Sequence, residues 1–299
     1  MRNEKFAGIF TASVTPFNRD RSLDTGAMEN LTRYYEENGL TGAFVCSSSG
    51  EYYSMTEVDR VAATATAKKA AGKLLILSQI SDDRPDRAIE RAKAMADAGA
   101  DAVVAQPPRF FNFTQAELAD FFEAIADGSP IPLIPYNHLV RLNNKLQIPL
   151  YQRLMKHENI IGVKDTHNDA ERMVRIASEV PGMMIYAGGD SQAANAVLNG
   201  AYLINALSAL APKLMVDLYR AGKRGDVNTA MQLQTRVDGL AKIFSMIPSD
   251  EPTNSAFVYS LKAVLRAKGL CGMQLAQLGY GVPEEALCKV AEYAKQYCD

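Results

Sequence analysis

Histidine and cysteine are scarce in this 299-residue chain, and neither is clustered. The three histidines, His138, His157 and His167, form no H-x-H or H-E-x-x-H pattern, so a metal-dependent reaction has no ligand set to start from. The four cysteines (Cys46, Cys271, Cys288, Cys298) lack the close pairing of a zinc site and read as free thiols in a reducing compartment. No run reaches the ~20 apolar residues that a membrane-spanning helix needs. The opening "MRNEKFAGIFTASVTPF" has no apolar core of leader length. A formal charge of −2 gives no electrostatic footprint for nucleic acid or an anionic membrane. Low-complexity tracts and a G-x-S-x-G serine elbow are also missing. We therefore expect a soluble cytoplasmic protein that calls for no metal or cofactor and takes neither nucleic acid nor membrane as a partner.

What the chain does have is alternation. Hydrophobic residues make up 47% of it, enough for a large core. Short β-like runs stand at 8–14, 42–47, 73–80, 101–106, 131–137, 159–165, 183–188 and 201–208. Amphipathic stretches lie between them, among them 25–38, 56–71, 84–98, 114–127 and 169–180. Thr56, Thr114 and Asp169 stand where N-caps belong. Eight strand–helix units in succession predict an α/β fold, a parallel (β/α)8 TIM barrel. The doubly wound alternative wants G-x-G-x-x-G after an early strand, and the chain after Val45 reads "CSSSGE". From about residue 211 the pattern is helical only (211–222, 226–245, 254–268, 284–296), punctuated by Pro248, Pro252, Gly269 and Gly281. The expected organisation is a barrel over 1–222 with a C-terminal helical extension over 223–299 packed on it.

Active sites of such barrels lie at the C-terminal ends of the strands. That rule draws attention to "NIIGVKDT" (159–166), an apolar β-branched run that contains a lysine. Alternation puts Ile160, Gly162 and Lys164 on one face and Ile161, Val163 and Asp165 on the other. Helices cover the outer face, so Lys164 points into the barrel mouth, with Gly162 leaving room for its stem. A lysine there suits attack on a ketone to give a Schiff base. The free amine attacks, and removal from water favours the uncharged form of a base. Tyr136 ends the neighbouring strand and shares its face with Ile134 and His138. Its phenol suits proton relay, although a tyrosine with a satisfied hydroxyl is equally at home in a core. The serines of "SSSGE" (47–51) offer hydroxyls and backbone N–H groups to a carboxylate, or simply make a loop and a helix cap.

These stretches together resemble the N-acetylneuraminate lyase/dihydrodipicolinate synthase family of class I aldolases. The resemblance runs from "TPF" (15–17) to about residue 215 and rests on "SSSGE", "YN" (136–137), "GVKDT" (162–166), "GGD" (188–190) and "NGAYLINALS" (199–208). Ser47 replaces the usual first glycine of the G-x-x-G-E pattern. The resemblance implies that Lys164 forms an imine with a 2-oxo acid such as pyruvate and that Tyr136 shuttles protons. It further implies that Ser48 and Ser49 hold the carboxylate, with Gly188 and Ile204 at backbone contacts. A homotetramer is implied as well. Dihydrodipicolinate synthases carry a second tyrosine in a "PYY"-like segment, which here reads "PPRFFNF" (107–113) with Phe110 in its place. Arg141 lies where those synthases keep an arginine for the second substrate, or is a surface residue. "GEYYS" (50–54) is similar to a stretch of sugar-acid dehydratases, and Tyr52 or Tyr53 is the candidate for the lost hydroxyl. The leading expectation is a Schiff-base lyase acting on a deoxy sugar acid or related aldol. Dihydrodipicolinate synthase, a deoxy sugar-acid dehydratase and a non-catalytic keto-acid-binding barrel are the alternatives.

Overall fold

The computed structural model describes residues 4–167, 169–249, 253–276, 279 and 281–298; Pro252, read above as a helix breaker, lies outside them. Eight short parallel strands close on themselves in chain order. They are β1 (Ile9–Ala12), β2 (Gly42–Val45), β3 (Leu75–Gln79), β4 (Ala102–Ala105), β5 (Leu133–His138), β6 (Gly162–Thr166), β7 (Met184–Ala187) and β8 (Tyr202–Asn205), with β8 pairing back to β1. A helix follows each: α1 (Thr25–Glu37), α2 (Glu57–Ala70), α3 (Pro85–Asp97), α4 (Gln115–Gly128), α5 (Ile148–Leu154), α6 (Ala170–Glu179), α7 (Ala193–Leu198) and α8 (Pro212–Lys223). This is the (β/α)8 barrel that the alternation predicts. Helices α9 (Val227–Ala241), α10 (Asn254–Ala267) and α11 (Glu284–Lys295) form the C-terminal helical extension. Among the described residues no helix is long and apolar enough to cross a membrane.

The helix starts follow from local chemistry. Thr56 accepts a hydrogen bond from the Asp59 N–H at 3.1 Å while the Asp59 carboxylate accepts from the Thr56 N–H at 3.3 Å. Thr114 and Glu117 repeat that reciprocal arrangement at the start of α4. Asp169 Oδ1 accepts from the Arg172 N–H at the start of α6. Each such cap is worth about 1 kcal/mol. Two helices escape the sequence pattern, α5 with seven residues and α7 with six. Neither is long enough to show a 3.6-residue period, and α7 ("AANAVL") has almost no polar face.

Two apolar layers hold the barrel. Inside it, Phe10, Phe44, Leu77, Val104, Ile134, Tyr186 and Ile204 pack on one another. At the N-terminal end of the strands Phe10 meets Tyr186 edge-on at 5.9 Å, and the Tyr186 hydroxyl donates to the Phe6 carbonyl at 3.1 Å. That end is plugged. The second layer joins the outer strand faces (Val45, Val103, Val163, Leu203) to the helices and runs on into α9–α11 through Leu240, Leu261, Leu265 and Val290. Space for chemistry is left at the opposite, C-terminal mouth.

Candidate active site

Strands β5 and β6 build the centre of the mouth. Their register sets Tyr136 beside Lys164, Asn137 beside Asp165 and His138 beside Thr166. Alternation turns Tyr136 and Lys164 inward. Lys164 is only 4% exposed. Its Nζ lies 3.9 Å from the centre of the Tyr136 ring and 5.1 Å from that of Phe44. Among the described residues no carboxylate reaches it at ion-pair distance. Its neighbour Asp165 faces outward, where the Arg172 guanidinium donates to Oδ2 at 2.7 Å and the Tyr151 hydroxyl at 2.5 Å. Asn137, next to Tyr136, donates into the same cluster. The outward residues thus tie together the two strands whose inward residues share the site.

The Tyr136 phenol titrates below its ordinary value. Burial alone raises it, but the charge of Lys164 and the nearby hydroxyls of Thr166 and Ser48 outweigh that effect. Thr166 Oγ1 acts there without reaching hydrogen-bond geometry, since it is buried and has no partner.

The glycine that makes room for Lys164 is not the expected one. A Cβ at Gly162 would meet the Met184 carbonyl oxygen at 2.3 Å and the Tyr186 ring at 3.0 Å, so Gly162 accommodates β7. At Gly188 a Cβ would stand 1.9 Å from Thr166 Oγ1 and 3.1 Å from Lys164 Cε. Gly188, beyond the end of β7, is the position that spares the lysine stem. The periodicity of one strand cannot reveal a clearance set by the next.

The serine run forms a tight loop after β2. It is bracketed by two non-glycine residues in the left-handed region, Cys46 (φ 50°) and Glu51 (φ 62°). Such residues cost on the order of 1–3 kcal/mol each and persist only where their surroundings hold them. Here Ser47 Oγ donates to the Ser13 carbonyl and accepts from the Gly50 N–H, while Thr15 Oγ1 donates to the Gly50 carbonyl. The Glu51 carboxylate receives Lys262 Nζ and the Ala276 N–H, both at 2.8 Å. The N–H groups of Ser48 and Ser49 have no acceptor among the described residues. A rigid loop with free N–H groups is a ready receptor for a carboxylate.

All seven candidate residues from the sequence (Lys164, Tyr136, Ser48, Ser49, Arg141, Gly188 and Ile204) line one cavity of about 220 Å³. Arg141 is exposed but tethered: its Nη1 donates to Asn254 Oδ1 at 2.9 Å and its guanidinium lies 5.6 Å from the Phe257 ring. A neighbouring pocket of about 360 Å³ shares Ser48 and Arg141 and adds Tyr53, Gln106, Arg109 and Asn143. Phe110 stands outside both cavities, exposed, with its ring against Phe111 at 4.9 Å. Neither tyrosine proposed for the missing hydroxyl lines the Lys164 cavity. The Tyr52 hydroxyl donates to the Ser81 carbonyl, and that of Tyr53 to Gln106. Among the described residues no three metal-ligating side chains converge.

The cavity also holds residues that the sequence reading passed over, chief among them His138, Thr166 and Asp190. His138 shares the inward parity of Tyr136, which was visible. Asp190 follows the "AGG" turn after β7, and nothing local marked it as facing the lysine. Burial raises its carboxyl to about 7, against the Leu207 N–H and the charge of Lys164, which pull it down. Phe244 and Phe257 reach the cavity from the C-terminal extension, a contact no local pattern announces.

The dihydrodipicolinate synthetase family model matches residues 5–281. A 4-hydroxy-tetrahydrodipicolinate synthase of an Exiguobacterium species is 30% identical over 271 residues, 88% of each chain. A probable 2-dehydro-3-deoxy-D-pentonate aldolase of Escherichia coli is 29% identical over 268 residues, covering 87% of this chain and 88% of that one. The crystal structure of a chloride-inhibited dihydrodipicolinate synthase from Acinetobacter baumannii, complexed with pyruvate, superposes with a TM-score of 0.86 at 25% identity, over 96% of this chain and 98% of that one. The chain therefore belongs to the dihydrodipicolinate synthetase family and is, as its sequence led us to expect, an enzyme of the Schiff-base-forming, class I aldolase/lyase type.

Proposed function

We propose that Lys164 condenses with a pyruvate-type 2-oxo acid, and that the enzyme makes or breaks the C3–C4 bond of a hydroxylated partner of the deoxy sugar acid kind. The observation that carries this reading is a buried amine with no carboxylate partner among the described residues, set against aromatic faces at the wall of a cavity. In this reading Ser48 and Ser49 receive the carboxylate, with Gly188 and Ile204 supplying backbone around the bound acid. Tyr136 moves protons as the carbinolamine loses water, a role its lowered phenol supports. The iminium is an electron sink, so the C3–C4 electrons have somewhere to go. A hydroxyl-rich substrate is supported by the polar lining that His138, Thr166, Asp190, Gln106 and Asn143 give the two pockets.

One observation favours a second reading. Arg141 reaches both pockets and suits the carboxylate of a second substrate, as condensation with aspartate semialdehyde would require. The exposed Phe110 ring, which has no hydroxyl, weighs against it. We further propose a cytoplasmic homotetramer; family membership and the exposed Phe110–Phe111 pair support it.

Incubation with pyruvate and borohydride, followed by peptide mass spectrometry, tests the central step. A reduced adduct on Lys164 is expected. A protein that binds pyruvate and yields no adduct would instead be the non-catalytic binder. Turnover assays with deoxy sugar acids, and with pyruvate plus aspartate semialdehyde, then divide the two catalytic readings.

A further inference from the structure

His138 is the last residue of β5, two positions beyond Tyr136 and on the same inward face. Along a strand, two residues advance about 6.6 Å, so its ring stands one rung nearer the mouth than the phenol. The two ring centres are 6.2 Å apart. The imidazole lines the cavity that Lys164 enters, and its Nδ1 is buried with no hydrogen-bond partner among the described residues. Closed off from the cavity, Nδ1 leaves the other ring nitrogen, Nε2, as the one that a bound substrate can meet.

We propose that His138 is a catalytic base and acid at the C3–C4 bond, exchanging a proton with the C4 oxygen and with C3 of the lysine-bound substrate. This rests on the imine reading above. Held at C2 by Lys164 and at its carboxylate by the Ser48–Ser49 loop, the substrate has its remaining carbons directed toward the mouth, past Tyr136 and onto His138. In cleavage, Nε2 takes the proton of the C4 hydroxyl as the C4–O bond becomes a carbonyl. The C3–C4 electron pair passes into the iminium and leaves a neutral enamine. The imidazolium then returns its proton to C3, which restores the iminium for hydrolysis to the 2-oxo acid. The aldehyde is released, the proton ends on C3, and the imidazole is neutral again; condensation runs the same steps backward.

The surroundings keep the ring unprotonated before it acts. Burial pushes the imidazole down to about 4, with the charges of Arg141 and Lys164 acting in the same direction and Asp165 against them. The ring is therefore neutral at neutral pH, with a lone pair free to accept. Tyr136, one rung deeper, lies against the lysine itself and serves imine formation. Division of labour between the two follows from their depth.

The test needs pyruvate alone, so it does not depend on the identity of the aldehyde. In D2O the bound pyruvate exchanges its methyl protons through the enamine, and NMR follows the loss. For His138→Asn and His138→Gly we expect that exchange to slow by about 10²-fold or more, with borohydride trapping at Lys164 within twofold of the parent. Added imidazole should restore part of the exchange to His138→Gly, which a purely structural role would not allow. Unchanged exchange with trapping intact overturns the role of His138. A parent enzyme that gives no adduct overturns the imine reading, a distinct result. Should His138→Gly fail to fold, the His138→Asn exchange rate decides alone.

Discussion

Two lysines are buried among the described residues, each beside a phenylalanine ring, and they differ in their polar partners. Lys262, on α10, is fully buried. Its Nζ donates to Glu51 at 2.8 Å and to the Gln274 carbonyl, and it lies 5.0 Å from the Phe17 ring. The second oxygen of Glu51 accepts from the Ala276 N–H. Each polar group in that cluster has an answer within the protein, and the pair locks residues 211 positions apart. Lys164 is nearly as buried, yet among the described residues it faces aromatic rings, hydroxyls and an open cavity in place of an ion-paired carboxylate. Burial alone therefore does not mark a reactive lysine; the inventory of its partners does. A satisfied buried charge holds the fold, whereas an unsatisfied one awaits a ligand.

Exchanging each lysine for methionine separates the two most sharply. Lys164→Met should abolish the borohydride adduct and lower turnover by about 10⁴-fold or more. Its denaturant midpoint should stay level or rise, since no ion pair is lost and apolar neighbours remain. Lys262→Met should do the opposite to stability. It strands the Glu51 carboxylate in the interior, at a cost of about 3–5 kcal/mol, and Glu51→Gln in the same chain should return much of that loss. Equal midpoints for the two single variants would erase the distinction.

A smaller effect is expected where the outer faces of β5 and β6 meet. Asp165→Asn leaves the half-buried Arg172 guanidinium without its carboxylate and weakens the tie to Tyr151 and Asn137. A loss of about 2–3 kcal/mol in urea unfolding is expected. Trapping of pyruvate should persist, because Lys164 itself is untouched. Loss of the adduct with stability intact would instead place Asp165 in the site.

The contrast between the lysines also shows what the sequence could reveal. Lys164 was legible because period-two alternation with Gly162, Val163 and Asp165 assigns its face, and the barrel rule says what that face sees. Ile160 and Ile161 precede the strand and pack the other way round from the expectation, Ile160 in the outer layer and Ile161 inside the barrel. Thr56, Thr114 and Asp169 were legible as caps for the same reason: the hydrogen bonds span three residues. Lys262 was not, since its meaning lies in Glu51 on the far side of the chain. The same holds for Gly188, whose clearance belongs to Lys164 and Thr166, and for Phe244 and Phe257, which cross from the helical extension. Gly162 misled because the space beside a strand residue is set by the adjacent strand. Helices α5 and α7 were too short to carry a period. Local chemistry reads well; contacts between distant segments do not.

Asp190 supplies the mildest test and bears directly on the comparison. If it served Lys164 as Glu51 serves Lys262, the pairing would hold its carboxyl down. Burial instead raises it to about 7, and the nearby charge of Lys164 offsets only part of that. The folded chain thus binds the Asp190 proton more tightly than the unfolded chain, where the carboxyl titrates near 3.8. The stability this proton contributes is present in full below 3.8 and is lost as pH rises to about 7, beyond which nothing more changes. Asp190→Asn removes the titration. The melting temperature of the variant relative to the parent should therefore climb between pH 4 and 7 and level off above. A difference that stays flat across that window would mean that the carboxyl is already ionised, and Lys164 would then have an ion-pair partner of its own.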